Sequence, residues 1–123
     1  MTIRGIRGAT TIDADVKEQV LSATQELLTS ILAANPGLRT EDIASALFTV
    51  SDDIASTYPA LAARQMGWDQ VPLMCAREIP VPGGLSLCIR VLIHWNTDKE
   101  QSAIQHVYLR DAFVLRPDLA ARA

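Results

Sequence analysis

The stretch Leu85-Ser-Leu-Cys-Ile-Arg90-Val-Leu-Ile-His94 constrains this chain more than any other part of it. Apolar residues recur at every second position, Leu85, Leu87, Ile89, Val91 and Ile93, followed by Trp95, which is the period of a strand with one face turned to a core. Ser86, Cys88, Arg90, Leu92 and His94 occupy the other face. A guanidinium at the centre of such a strand is costly unless it meets an anion or opens onto a wet cleft. Its partner is therefore either a carboxylate of the protein or a bound anion, and the strand alone leaves both readings open. Cys88 and Leu92 share the face with Arg90, so the second face also calls for cover.

The elements around this strand follow from local signals. Residues 2–11 read as a first strand containing two glycines, which admit close approach. Asp15 and Glu18 have the spacing of a capping box, and Val16, Val20, Thr24, Leu27, Leu28, Ile31 and Leu32 form one apolar stripe. A helix of roughly five turns is predicted here, stopped by Asn35-Pro36-Gly37. A second strand is predicted over Ala46–Ser51. A second helix opens at Thr57-Tyr58-Pro59, runs to Met66 and closes at Gly67. Residues 71–75 form a short extended piece, 80–84 a turn, 85–96 the long strand, and 98–101 a helical turn. A last strand is predicted over His106–Arg110, and residues 113–123 read as a flexible C-terminal tail. The order β-α-β-α-β-β gives an α+β domain spanning residues 1–123, a mixed sheet with helices on one face. The second apolar face is most economically hidden by oligomerisation, with ligand sites between subunits.

Composition narrows the function classes. A chain of 123 residues with 49% hydrophobic and 20% charged residues is ordinary for a soluble globular domain. A net charge of −3 and six aromatic residues argue against nucleic-acid binding. There is no signal peptide or apolar run of transmembrane length, so no membrane is implied. Two cysteines, Cys75 and Cys88, in strand-like apolar stretches suit a reducing, cytoplasmic setting. His94 and His106 lack the companions of a metal site, and no metal or cofactor is expected. Nine arginines against two lysines favour forked recognition of carboxylate or phosphate, though codon bias produces the same skew.

Polar residues that the fold does not require are Arg7, Arg64, Glu78, Tyr108 and Arg116. Each also has a plain structural explanation: an ion pair for Arg7, solvated ends for Arg64 and Arg116, an exposed loop for Glu78, a core ring for Tyr108. Taken with their surroundings they form a pattern. Arg4-Gly-Ile-Arg7-Gly-Ala-Thr-Thr11, Val71-Pro72, Cys75-x-x-Glu78, Gly83-Gly84-Leu85, Cys88-Ile-Arg90-Val91, His106-Val-Tyr108-Leu109 and Val114-Leu-Arg-Pro-Asp-Leu119 occur in order along nearly the whole chain. This series resembles the trimeric, non-helical class of chorismate mutase. The resemblance implies a homotrimer forming a pseudo-α/β-barrel, with active sites at the subunit interfaces. It also implies rearrangement of chorismate to prephenate on the way to phenylalanine and tyrosine. It places the site on Arg7, Tyr58, Arg64, Cys75, Glu78, Arg90, Tyr108, Leu115 and Arg116, with Arg90, Glu78 and Arg7 as the catalytic set. The sequence departs from the family in three places. Leu61 stands where a lysine is usual, residues 64–67 are one residue short, and Met74 replaces a small polar residue beside Cys75.

These residue types suit that chemistry. The rearrangement is unimolecular and pericyclic, so it needs neither nucleophile nor metal nor proton transfer. It needs a folded substrate held in place and a fixed donor for charge growing on the ether oxygen. A non-catalytic trimeric domain that binds a dicarboxylate metabolite would use arginines and a tyrosine equally well. Glu78 weighs against that alternative, because a carboxylate hinders simple dianion binding. A trimeric enamine or imine hydrolase of similar size is a further rival.

Overall fold

A computed structural model describes residues 2–115. Five strands, β1 (Ile3–Thr11), β2 (Ile43–Val50), β3 (Leu73–Arg77), β4 (Cys88–Asn96) and β5 (Val107–Tyr108), form one mixed sheet in the order β3-β2-β4-β1-β5. The alternating strand β4 is central and antiparallel to both β1 and β2, while β3 runs parallel to β2 and β5 parallel to β1. Helices α1 (Lys17–Ala34) and α2 (Ala60–Gln65) share one core with Phe48, Val91, Ile93 and Trp95, so both helices lie on the same face of the sheet. The α+β reading with helices on one face holds, and the short extended piece expected over 71–75 is strand β3.

Helix α1 forms because Val20, Ala23, Thr24, Leu27, Leu28 and Ile31 recur at three- and four-residue spacing, and all are buried. It ends where Asn35 turns its side-chain amide onto the Ile31 carbonyl at 2.9 Å and Gly37 takes a φ of 91°. The expected capping box does not form. Val16 precedes the helix without a side-chain cap, and the Asp15 carboxylate instead accepts the amides of Ala55 and Ser56 at 2.9 and 3.1 Å. A tertiary loop has outcompeted the local cap, and Gln19 accepts the amides of Asp13 and Ala14 in its place. The helix lies so close to β1 that a Cβ on Gly8 would sit 2.7 Å from Ile31 Cδ1 and 3.2 Å from Leu27 Cδ1.

Several boundaries differ from the sequence reading. The second strand begins earlier, at Ile43, and α2 begins after Pro59 rather than at Thr57. Strand β4 begins at Cys88, because Leu87 takes a φ of 49° and gives its amide to both Asp53 carboxylate oxygens at 3.0 Å. Ile89, Val91, Ile93 and Trp95 nonetheless face the core as their alternation requires. The strand expected over 106–110 is only Val107–Tyr108, and Arg110, at φ 53°, turns the chain into a 3-10 helix, Arg110–Leu115. Of the tail read as 113–123, Phe113–Leu115 belong to that helix, and Arg116 onward lies outside the described residues. Among the described residues no helix is long and apolar enough to cross a membrane.

Candidate active site

The face of the sheet opposite the helices collects the charged residues. Register places Ala9 and Thr49 on either side of Arg90, and Arg7 beside Leu92. Alternation then turns Arg7, Thr49 and Arg90 away from the core while Ile6, Phe48 and Val91 enter it. Glu78 follows β3 by one residue. Its amide donates to the Val50 carbonyl at 2.9 Å, which holds the chain beside the end of β2. The Thr49 hydroxyl donates to Glu78 Oε2 at 2.5 Å, and Arg90 Nε stands 3.8 Å from the same oxygen. With side chains 28% and 32% exposed, Arg90 and Glu78 are an ion pair at a cleft rather than a surface pair. Arg7, Leu47, Thr49, Glu78, Arg90 and Leu92 line this cleft, of about 190 Å³.

The pairing leaves Arg90 incompletely used. Its Nε is buried, and at 3.8 Å from Glu78 it has no hydrogen-bond partner among the described residues. A buried charged donor without an acceptor is costly, and an anion entering the cleft would meet that need. Next to it, burial pushes the Cys88 thiol pKa up, against the opposing pull of the Arg90 guanidinium. Cys88, which lines an adjoining cleft with Glu78 and Arg90, therefore stays neutral near neutral pH. At the β1 end, the Arg7 guanidinium carbon lies 5.9 Å from the centre of the buried Tyr108 ring, a cation–π placement that orients Arg7 over the sheet edge. Leu115 packs against the small cluster of Ala9, Tyr108 and Ala112.

The remaining candidates lie elsewhere. Cys75 pairs with Phe48 across β2 and β3 and packs against the helix-side core, so it points to the opposite face from Arg90. Tyr58, Arg64 and Cys75 line a second cleft of about 360 Å³ with Trp68, Asp69 and Met74. One chain thus gathers Arg7, Glu78, Arg90, Tyr108 and Leu115 at one cleft and around its β1 end. Tyr58, Arg64 and Cys75 stand at another cleft, and Arg116 lies outside the described residues. Thr49 was missed from the sequence. Its signal was available, since it is a polar residue between apolar Phe48 and Val50 on the outward phase of a strand.

Two guanidinium groups and one carboxylate on a single face of a mixed α+β sheet could receive a small anion and leave the carboxylate for a hydroxyl or electron-poor group. Among the described residues no cluster of three or more His, Cys, Asp or Glu could hold a metal ion. Comparison with known proteins makes the class specific. Residues 3–119 match the profile of the family described as chorismate mutase type I, and the chain belongs to that family. It is 53% identical over 117 residues to chorismate mutase AroH of Thermus thermophilus, covering 95% of this chain and 96% of that one. It is 45% identical over 121 residues to chorismate mutase AroH of Bacillus subtilis strain 168, covering 98% and 94%. The solved chorismate mutase from Clostridium thermocellum superposes with a TM-score of 0.87 at 48% identity, covering 89% of this chain and 97% of that one.

Proposed function

We propose that this chain is a chorismate mutase that rearranges chorismate to prephenate by orientation and electrostatic stabilisation. The observation that carries the mechanism is the buried Nε of Arg90 beside Glu78 in the cleft, without a hydrogen-bond partner among the described residues. Arg90 is held by the central strand, so its donors need no reorganisation when charge develops. It bridges a substrate carboxylate and the ether oxygen as the C–O bond breaks. Arg7 and the Tyr108 hydroxyl hold carboxylate groups. Glu78, steadied by Thr49, takes the ring hydroxyl and faces positive charge developing on the ring. A millionfold acceleration needs ~8 kcal/mol. One pre-organised donor supplies ~3–4 kcal/mol of that, and holding the substrate folded over its ring supplies the rest.

The working form in this reading is a cytoplasmic homotrimer. Tyr58, Arg64 and Cys75 of one subunit complete the site built on Arg7, Glu78, Arg90, Tyr108 and Leu115 of the next. The split of these residues over two clefts supports that arrangement, as do the half-buried Leu47 and Leu92 on the charged face and the exposed Met74, Ile79 and Val81. The free thiols of Cys75 and Cys88 support a reducing compartment. Loss of chorismate absorbance on adding the purified chain, with no metal or cofactor supplied, tests the activity. Unchanged chorismate would leave a binding role instead. Sedimentation at micromolar concentration tests the trimer, and an active monomer would overturn it.

A further inference from the structure

The outer edge of β1 is finished mostly by side chains. Strand β5 has only two residues and pairs Val107 with Gly8 and Tyr108 with Ala9, the Leu109 amide donating to the Ala9 carbonyl at 2.9 Å. Toward the start of β1 the parallel ladder runs out. At Gly5 the Gln101 amide group replaces it, accepting the Gly5 N–H at 3.0 Å and donating to the Gly5 carbonyl at 2.8 Å. At Arg7, between these two anchor points, the backbone N–H donates to Nδ1 of His106 at 2.9 Å. His106 is 7% exposed, and its own segment is fixed from the other side. Asn35 accepts the Gln105 amide and donates to the Gln105 carbonyl, both at 2.9 Å.

We infer that His106 is a positioning residue for Arg7, acting as a neutral imidazole whose Nδ1 lone pair anchors the Arg7 backbone to the segment that carries Tyr108. An N–H donor on one side of the contact requires a bare nitrogen on the other, so the ring proton sits on Nε2. A doubly protonated ring has no lone pair to offer. Tyr108 is two residues beyond His106, so this bond acts together with the β5 pairing to fix the separation of Arg7 from Tyr108. Their side chains already meet, the guanidinium lying 5.9 Å from the ring centre. The inference deepens the proposed function and rests on it, because those are the two groups that hold the substrate carboxylates. A small displacement of such a group costs affinity out of proportion to its size.

The experiment has a spectroscopic arm and a kinetic arm. In the isotope-labelled full chain, a scalar coupling across the hydrogen bond between the Arg7 amide nitrogen and His106 Nδ1 is expected, with the imidazole nitrogen shifts of the Nε2–H form. No coupling together with a protonated Nδ1 would overturn the inference, and this arm needs no variant that folds. In the kinetic arm, His106→Asn keeps an acceptor oxygen where Nδ1 stood, whereas His106→Leu fills the space without one. The leucine variant should raise KM for chorismate roughly tenfold or more per folded site, because a displaced Arg7 loses affinity out of proportion to the shift. The asparagine variant should return KM to within about threefold of wild type, since a neutral acceptor is restored. A purely structural role would lower the folded fraction and Vmax at unchanged KM, so a leucine variant with wild-type KM overturns the positioning role. Wild-type protein that leaves chorismate untouched would defeat the proposed function, while active wild-type protein lacking the coupling would defeat this inference alone.

Discussion

Replacing Thr49 by valine exchanges its hydroxyl for a methyl group at nearly the same shape, which makes it a sharp test of how the Glu78 carboxylate is held. The hydroxyl donates to Glu78 Oε2 at 2.5 Å, while Arg90 Nε, at 3.8 Å from that oxygen, is beyond hydrogen-bond distance. Thr49 is therefore the group that fixes the carboxylate, and Arg90 supplies only the field. A hydrogen bond to a charged group contributes about 1.5–3 kcal/mol. Glu78 is about a third exposed and water can replace part of the loss, so about 1–2 kcal/mol is the better figure. At 1.4 kcal/mol per decade, kcat/KM for chorismate should fall roughly 5–30-fold in Thr49→Val. Thr49→Ser keeps the hydroxyl and should stay within about threefold of wild type. The assay is the initial rate of chorismate loss at several concentrations, normalised to folded protein. A valine variant within twofold of wild type would refute the reasoning, and Glu78 would then be held by its backbone and the Arg90 ion pair.

Arg90→Lys keeps the charge but loses the fork, and kcat should fall roughly 10²–10³-fold; retention of more than a tenth of kcat would show that the fork is not required. Gly8→Ala should destabilise the fold by about 1–3 kcal/mol, because its Cβ would lie 2.7 Å from Ile31 Cδ1. Ile31→Val removes that atom, so a double-mutant cycle in denaturant should show the second substitution offsetting the first, and simple additivity would contradict the contact. Hydrogen bonds from the Ser56 side chain and the Ala55 amide hold the Asp15 carboxyl below its ordinary 3.8. Its stabilising contribution is thus complete above pH 3.8 and lost as pH falls through the depressed folded value. Acid titration of the unfolding midpoint should be flatter in Asp15→Asn below that pH, and an identical acid limb would refute the assignment.

Much of the fold is legible in the sequence because its signals are local. Alternation from Ile89 to Trp95 marks the central strand and commits Arg90 to the face away from the core. The stripe from Val20 to Ile31 marks α1, and the ordered series of short motifs marks the family. Arg90's environment left two readings open, a protein carboxylate or a bound anion. The structure supplies the carboxylate of Glu78 and still leaves Nε without a hydrogen-bond partner among the described residues. Where the sequence misleads, a distant partner has overruled a local preference. Asp15 has a capping spacing but binds residues 55 and 56, and Leu87 fits the strand alternation but is turned out by Asp53.

The sequence by itself determined which residues alternate, where α1 stops and which charged groups the core cannot absorb, since each depends on neighbours a few positions away. Only the tertiary structure decided the order β3-β2-β4-β1-β5, with Thr49 and Arg90 side by side. It also decided that Arg7 is anchored by an imidazole 99 positions along the chain, and that Cys75 faces away from Arg90. These are matters of register between strands far apart in sequence. A one-residue slip in any of them would turn every side chain of that strand to the other face while leaving its local pattern unchanged.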